Sequence, residues 1–153
     1  MVEPAPAREF EIWPLHITLV PWFHSDNDQE LDKVLQKVAS RHKALKVYTG
    51  KVEQWGKKEK FEVQKLEDPG SLHRLHWDVY QSLEKNGFHI HQKDFLREKF
   101  APHLALRNRY QKGHAFKEGS GLEVKNFALI NQTRLKVTGR MIKSVTKEYA
   151  LSN

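Results

Sequence analysis

The sequence contains no cysteine. Disulfides, thiolate nucleophiles and cysteine-ligated metals are therefore excluded, and the chain suits a reducing cytoplasm. Long apolar runs are missing as well: none approaches the roughly 18 residues of a membrane-spanning helix. Met1 to Arg8 lack the basic start and apolar core of a secretory signal, so neither export nor a membrane partner is expected. Low-complexity segments are absent. What is present is an ordinary globular balance, with 39% hydrophobic and 29% charged residues in a chain of 153. That length fits one domain with a real core, expected over residues 1–153, after a loose start at residues 1–9 where Pro4 and Pro6 oppose regular structure. The net charge of +7 draws the protein toward phosphates, RNA or anionic surfaces, or simply keeps it soluble. Nine histidines are many for this length, and histidine titrates near neutrality, so their placement matters.

Two segments carry helical periodicity. Leu31, Val34, Leu35, Val38, Ala39 and His42 form one face, after helix-start residues Ser25 to Asp28. Leu72, Leu75, His76, Val79, Tyr80 and Leu83 repeat the pattern between the start signal Asp68-Pro69-Gly70-Ser71 and the stop signal Gly87. Strands are expected at 15–20, 45–49, 52–55, 61–66 and 101–106. A late pair is expected at 122–130 and 134–138, with turns at Gly50 and around Gly56, and a short helix at 94–100. The two helices and two proline-flanked, histidine-bearing strands suggest a degenerate duplication. They predict an α+β fold of two lobes, each with a sheet and with the helices outside.

The histidine-bearing strands are Pro14-Leu15-His16-Ile17-Thr18-Leu19 and Pro102-His103-Leu104-Ala105-Leu106-Arg107. Side chains alternate across a strand. His16 and Thr18 therefore share one face while Ile17 and Leu19 take the other, and His103 and Ala105 are related in the same way. A single strand histidine beside a threonine is commonplace. A pair in matching contexts points to a shared task.

These two motifs, with Pro21-Trp22-Phe23 after the first and the helix Ser71–His76 before the second, resemble the 2H phosphoesterase superfamily in its 2′-5′ RNA ligase and cyclic phosphodiesterase branch. That family is defined by two His-x-Thr/Ser motifs, each followed by an apolar residue. The resemblance covers roughly residues 12 to 130. It implies antiparallel sheets flanking a central cleft, with His16 and His103 catalytic and facing one phosphate. It also implies a substrate that is an RNA end or a small nucleotide with a cyclic or 2′-5′ phosphodiester, and no metal or other cofactor. A monomer is expected. Two departures stand out: Ala105 occupies the place of the second hydroxyl, and the strand usual before the first motif should be reduced or absent.

The chemistry is coherent in its own right. Hydrolysing a cyclic phosphodiester needs a base to take a proton from water and an acid to protonate the leaving oxygen, and two histidines can divide those jobs. Thr18 can donate to a non-bridging oxygen as charge develops. Arg107, two positions beyond Ala105, can supply a phosphate donor if the strand continues past Ala105. Trp13 and Tyr110 lie near the motifs in sequence and offer stacking surfaces for a base, while Lys57, Lys58 and Lys60 crowd one loop. Trp22 and Phe23 read better as core. His89 and His91 alternate like a ligand pair but lack acids at a convincing metal spacing. His73 and His76 read as packing and surface residues. The competing function is a binding module that keeps this fold and has lost turnover, which Ala105 favours and the intact histidine pair opposes.

Overall fold

A computed structural model describes residues 8–10, 15–59, 61–92, 96–108, 111–112, 114–134 and 136–153. In chain order the elements are β1 (Arg8–Phe10), α1 (Asp28–Ser40), β2 (Leu45–Trp55), β3 (Phe61–Glu67), α2 (Ser71–Lys85), β4 (His103–Asn108), β5 (Gln111–Lys112), β6 (Gly121–Val124), β7 (Asn126–Arg134) and β8 (Met141–Ala150). Short 3-10 turns lie at Lys57–Glu59 and Arg97–Lys99. Two antiparallel sheets result, ordered β1-β8-β7 and β5-β4-β3-β2-β6. The α+β, two-sheet architecture is the one expected from the sequence. No helix among the described residues is long and apolar enough to cross a membrane.

Both helices form where their apolar spacing and end signals agree. The Asn27 side chain accepts the Glu30 N–H at 3.1 Å and starts α1, whose Leu31, Val34, Leu35, Val38 and Ala39 are buried. The Asp68 carboxylate accepts the backbone N–H groups of Gly70, Leu72 and His73 at the head of α2 and also bonds the His73 ring. Burial pushes this carboxyl up, but those four bonds outweigh it and hold Asp68 below its ordinary range. Gly87, with φ of 87°, ends α2: the Phe88 N–H reaches the Leu83 carbonyl at 2.9 Å and the Gly87 N–H reaches that of Glu84 at 3.2 Å. Asp78 on α2 binds Arg41 at 2.8 Å and His42 at 2.7 Å, joining the helices. Asp32 on α1 binds Lys147 and Tyr149 of β8, joining the first sheet to the helical layer.

Several local expectations are corrected. Gly50 is not a turn: β2 runs through it, and a register shift between Thr49 and Val52 absorbs an extra residue as a bulge. The buried Gln64 amide satisfies that kink by donating to the Gly50 and Phe116 carbonyls. The late strands are longer and later than expected. Residues 136–138 are the turn of a β7–β8 hairpin, and β8 itself was not anticipated. The strand before the first motif is reduced, as expected, to three residues paired with β8, but it begins at Arg8, inside the segment 1–9 that was expected to be loose. The short helix expected at 94–100 is a 3-10 turn at 97–99, and residues 93–95 fall outside the described set. Trp22 is 45% exposed rather than core, while Phe23 packs against the core and bridges Ile90.

His76 holds the two motif segments in place. Its ring is 1% exposed and stacks on Phe100 at 4.0 Å and 4°. Nδ1–H donates to the Leu19 carbonyl at 2.6 Å, and Nε2 accepts the Arg97 N–H at 3.0 Å. Leu19 closes the first motif, and Arg97 opens the turn that leads to the second. Arg97 takes a left-handed backbone (φ 58°), with its guanidinium over the Trp77 and Tyr80 rings. One donor and one acceptor are what neutral imidazole provides. Burial is the main cause of a His76 pKa below the ordinary 6.5, opposed by the Leu19 bond and assisted by His73. Below pH 6.5 the unfolded chain binds a proton that folded His76 refuses. The resulting stability is complete above 6.5 and is lost as pH falls toward the folded value. Thermal unfolding from pH 7.5 to 5 should therefore show falling stability on acidification. His76→Phe should flatten that slope while costing about 1–3 kcal/mol for each buried group it leaves unpaired. An unchanged slope in the variant would remove His76 as its source.

Candidate active site

The site is assembled by one contact. Ile17 forms an antiparallel bridge with Leu104 of β4, on the edge opposite β3. The first motif segment is thus a single bridge rather than the full strand expected over 15–20. Leu104 is 2% exposed and Ile17 packs against the core, so both point inward. Their neighbours point to the other face. The register of the bridge sets His16 across from Ala105 and Thr18 across from His103. Diagonal neighbours in such a pair lie about 7–8 Å apart, which is the relation between His16 and His103. Both histidines are partly buried and Thr18 is exposed.

His103 is oriented from two sides. Its Nδ1–H donates to the Ala101 carbonyl at 2.9 Å, which leaves Nε2 as the nitrogen available for chemistry. Its ring lies 4.6 Å from that of Trp55, centroid to centroid and tilted by 55°. The Trp55 indole N–H donates to Glu53 at 2.7 Å, and Glu53 pairs with Lys65 at 3.8 Å. Strand register explains this grouping. Lys65 is opposite His103, Glu53 opposite Val63, Val63 opposite Ala105, and Trp55 opposite Phe61, so these side chains share the face that carries the histidines. Phe61 is 46% exposed there. Sequence alone reads Trp55 only as a strand end, because its proximity to His103 depends on β3 lying between their strands.

The other expected site residues fare differently. β4 does continue past Ala105, to Asn108. However, Val63 pairs Ala105 and Glu62 pairs Arg107, so a bulge at Leu106 interrupts the strict alternation that was extended to Arg107. Trp13, Tyr110 and Lys60 lie outside the described residues. His89 is engaged with Glu84 at 2.9 Å. Among the described residues no group of three or more histidine, aspartate or glutamate side chains is placed to hold a metal ion.

Two antiparallel sheets with helices packed on them, and two histidine motifs brought together on one face, give the fold of the two-histidine phosphoesterases. Residues 5–115 match the family model of the 2′-5′ RNA ligase superfamily, and the chain belongs to that superfamily. Among solved structures it is similar to TT0787 of Thermus thermophilus, with 19% identity and a TM-score of 0.64 over 92% of this chain and 81% of that one. It is also similar to LigT of E. coli complexed with 3′-AMP, with 17% identity and a TM-score of 0.59 over 91% and 77%. A third neighbour, described as a phosphoesterase, gives 20% identity and a TM-score of 0.57 over 91% and 78%. At these identities the likeness is one of fold. No curated protein matches the sequence.

The geometry around His103 makes one prediction. In nitrogen-resolved NMR, the neutral ring should carry its proton on Nδ1, because the Ala101 carbonyl can only accept. A ring protonated on Nε2 would contradict the arrangement.

Proposed function

We propose that the protein is a metal-independent phosphoesterase of the 2′-5′ RNA ligase and 2′,3′-cyclic phosphodiesterase type, with His16 and His103 as its general acid and base. The observation that carries this reading is the Ile17–Leu104 bridge, whose register sets both histidines on one face. One imidazole takes a proton from water as its oxygen bonds to phosphorus. The bond from phosphorus to one ribose oxygen breaks, and the other imidazole gives that oxygen its proton. The product is a 2′- or 3′-phosphomonoester. With a 5′-hydroxyl in place of water as the nucleophile, the same in-line exchange joins 2′-5′ ends: the bond from phosphorus to the 3′ oxygen breaks, and that oxygen takes the proton. Thr18, beside His103, donates to a non-bridging phosphate oxygen.

The substrate is an RNA end or a small nucleotide. LigT, a neighbour in fold, is complexed in separate crystals with 3′-AMP, NADP+ and ATP, which supports nucleotide binding here. Trp55 and Phe61 give a base something to stack on, and Trp13 and Tyr110 are further stacking candidates by sequence. We place the activity in the cytoplasm, which a chain free of cysteine suits, and take the enzyme to act as a monomer without a cofactor.

A second reading has its own observation. Ala105 stands across from His16, so a methyl group replaces the hydroxyl that the family places there. A protein that holds nucleotides without turning them over would tolerate that change.

Two experiments test the reading. Hydrolysis of nucleoside 2′,3′-cyclic phosphates should follow a bell in pH, since one histidine must be neutral and the other charged. His16→Ala and His103→Ala should each lower turnover by roughly two to four orders of magnitude, and a chelator should change nothing. Nucleotide binding with no turnover in the parent favours the second reading, and loss of activity on chelation removes the metal-free mechanism.

The role of Arg107 as a substitute phosphate donor is tested by a double-mutant cycle. If the guanidinium reaches the phosphate despite the bulge at Leu106, Arg107→Ala should cost about 1.5–3 kcal/mol in kcat/KM, the range for a hydrogen bond to a charged group; if the bulge turns it away, the variant should match the parent. Ala105→Thr should recover part of that loss in the Arg107→Ala background. Additive effects would leave Ala105 uncompensated.

A further inference from the structure

His73 lies in the first turn of α2 with its ring held between two acceptors. Nδ1 meets the carboxylate of Asp68, and Nε2 meets the Phe100 carbonyl at 3.2 Å. The Asp68 side chain has no exposed surface and is tied down by the backbone N–H groups of Gly70, Leu72 and His73. An ionised carboxylate and a backbone carbonyl can only accept, so both ring nitrogens donate. His73 is thus the inverse of His76, one turn further along α2, which pairs one acceptor with one donor. The two rings share Phe100: His76 stacks on its face, and His73 meets it edge-on at 5.1 Å and 74°.

The Phe100 carbonyl begins a short run of backbone that ends on His103. Among the described residues, no group besides His73 bonds this carbonyl. The Ala101 carbonyl accepts Nδ1–H of His103 at 2.9 Å, and the Pro102 carbonyl accepts the Leu66 N–H at 3.0 Å. Three successive carbonyls are therefore held by α2, by His103 itself and by β3. The peptide plane between Phe100 and Ala101 takes its direction from His73. A residue before proline is confined to extended backbone, so Ala101 has little freedom to re-aim its own carbonyl once that plane is set. Phe100 and Pro102 are both buried, which leaves the run little room to shift as a whole. The grip of Asp68 on His73 is in this way passed along to Nδ1 of His103.

We propose that His73 is a positioning residue for His103: anchored by Asp68, it fixes the Phe100–Ala101 peptide and so keeps the His103 proton on Nδ1 and leaves Nε2 to the phosphate. Its effect on turnover rests on the phosphoesterase reading of the same site.

The test uses His73→Leu, which cannot donate, and His73→Arg, whose guanidinium carries donors enough for both acceptors. Nitrogen-resolved NMR of the ligand-free protein reads the His103 ring directly. In the parent and in His73→Arg the neutral ring should be protonated on Nδ1. In His73→Leu it should become a mixture of the two tautomers. On adenosine 2′,3′-cyclic phosphate, His73→Leu should lower kcat by roughly ten- to a hundredfold, the cost of a small misplacement of a reacting group. KM should change little, because no group that binds substrate is removed, and His73→Arg should recover most of the loss. A His103 ring that keeps its proton on Nδ1 in His73→Leu overturns the proposal, as does a rise in KM with kcat unchanged. A purely structural His73 would lower the melting temperature and leave that proton where it is. Should His73→Leu fail to fold, His73→Asn is read in the same way, since its amide reaches only as far as Nδ1 does and leaves the Phe100 carbonyl without its donor. A parent that does not hydrolyse the substrate defeats the phosphoesterase reading instead, and the NMR comparison still decides the role of His73.

Discussion

A buried imidazole with one proton is the constraint on which the site depends. His76 gives its single N–H to the Leu19 carbonyl and uses its single lone pair for the Arg97 N–H, so α2 grips the exit of one motif and the approach to the other. A second proton would set two N–H groups facing each other at Arg97. The ring must stay neutral for both motif segments to keep their places, and burial ensures that it does. The face of Phe100 stacked on the same ring fixes the turn from which His103 departs.

The bridge between Ile17 and Leu104 then makes the site an exchange between motifs. Each histidine stands across from the third residue of the other motif rather than relying on its own. Thr18 therefore stands across from His103, and Ala105 across from His16. His103 is also the one anchored by the Ala101 carbonyl and flanked by Trp55. The two halves of the pair are related by topology but are unequal in chemistry.

Much of this was legible in the sequence, for identifiable reasons. The helices were written in apolar spacing and in end residues such as Asp68 and Gly87, whose hydrogen bonds are local. The paired motifs were visible because both repeat the same alternation. Strands were less legible where pairing rather than pattern defines them. Gly50 imitates a turn but lies beside a bulge that Gln64 satisfies from the next strand. β8 was missed because its inward and outward residues do not alternate cleanly, and its only buried positions before Leu151 are Lys143 and Tyr149. His76 was recognised as packing, yet its partners are 57 and 21 residues away, beyond any local rule. Trp55 was hidden for the same reason.

The pairing of β1 with β8 also sets an order of assembly. The five-stranded sheet uses strands from Leu45 to Val124, and the contacts that draw the motifs together, Ile17 with Leu104 and Leu19 with His76, need nothing beyond Leu104. Arg8 to Phe10 must wait for Lys143 to Val145. In a chain made from its N-terminus, the histidine pair can therefore meet while β1 still lacks its neighbour, and β1, made before β8, pairs only once β8 has followed. Synthesis halted ahead of Met141 would yield a chain that owns both motifs and leaves β1 an open edge.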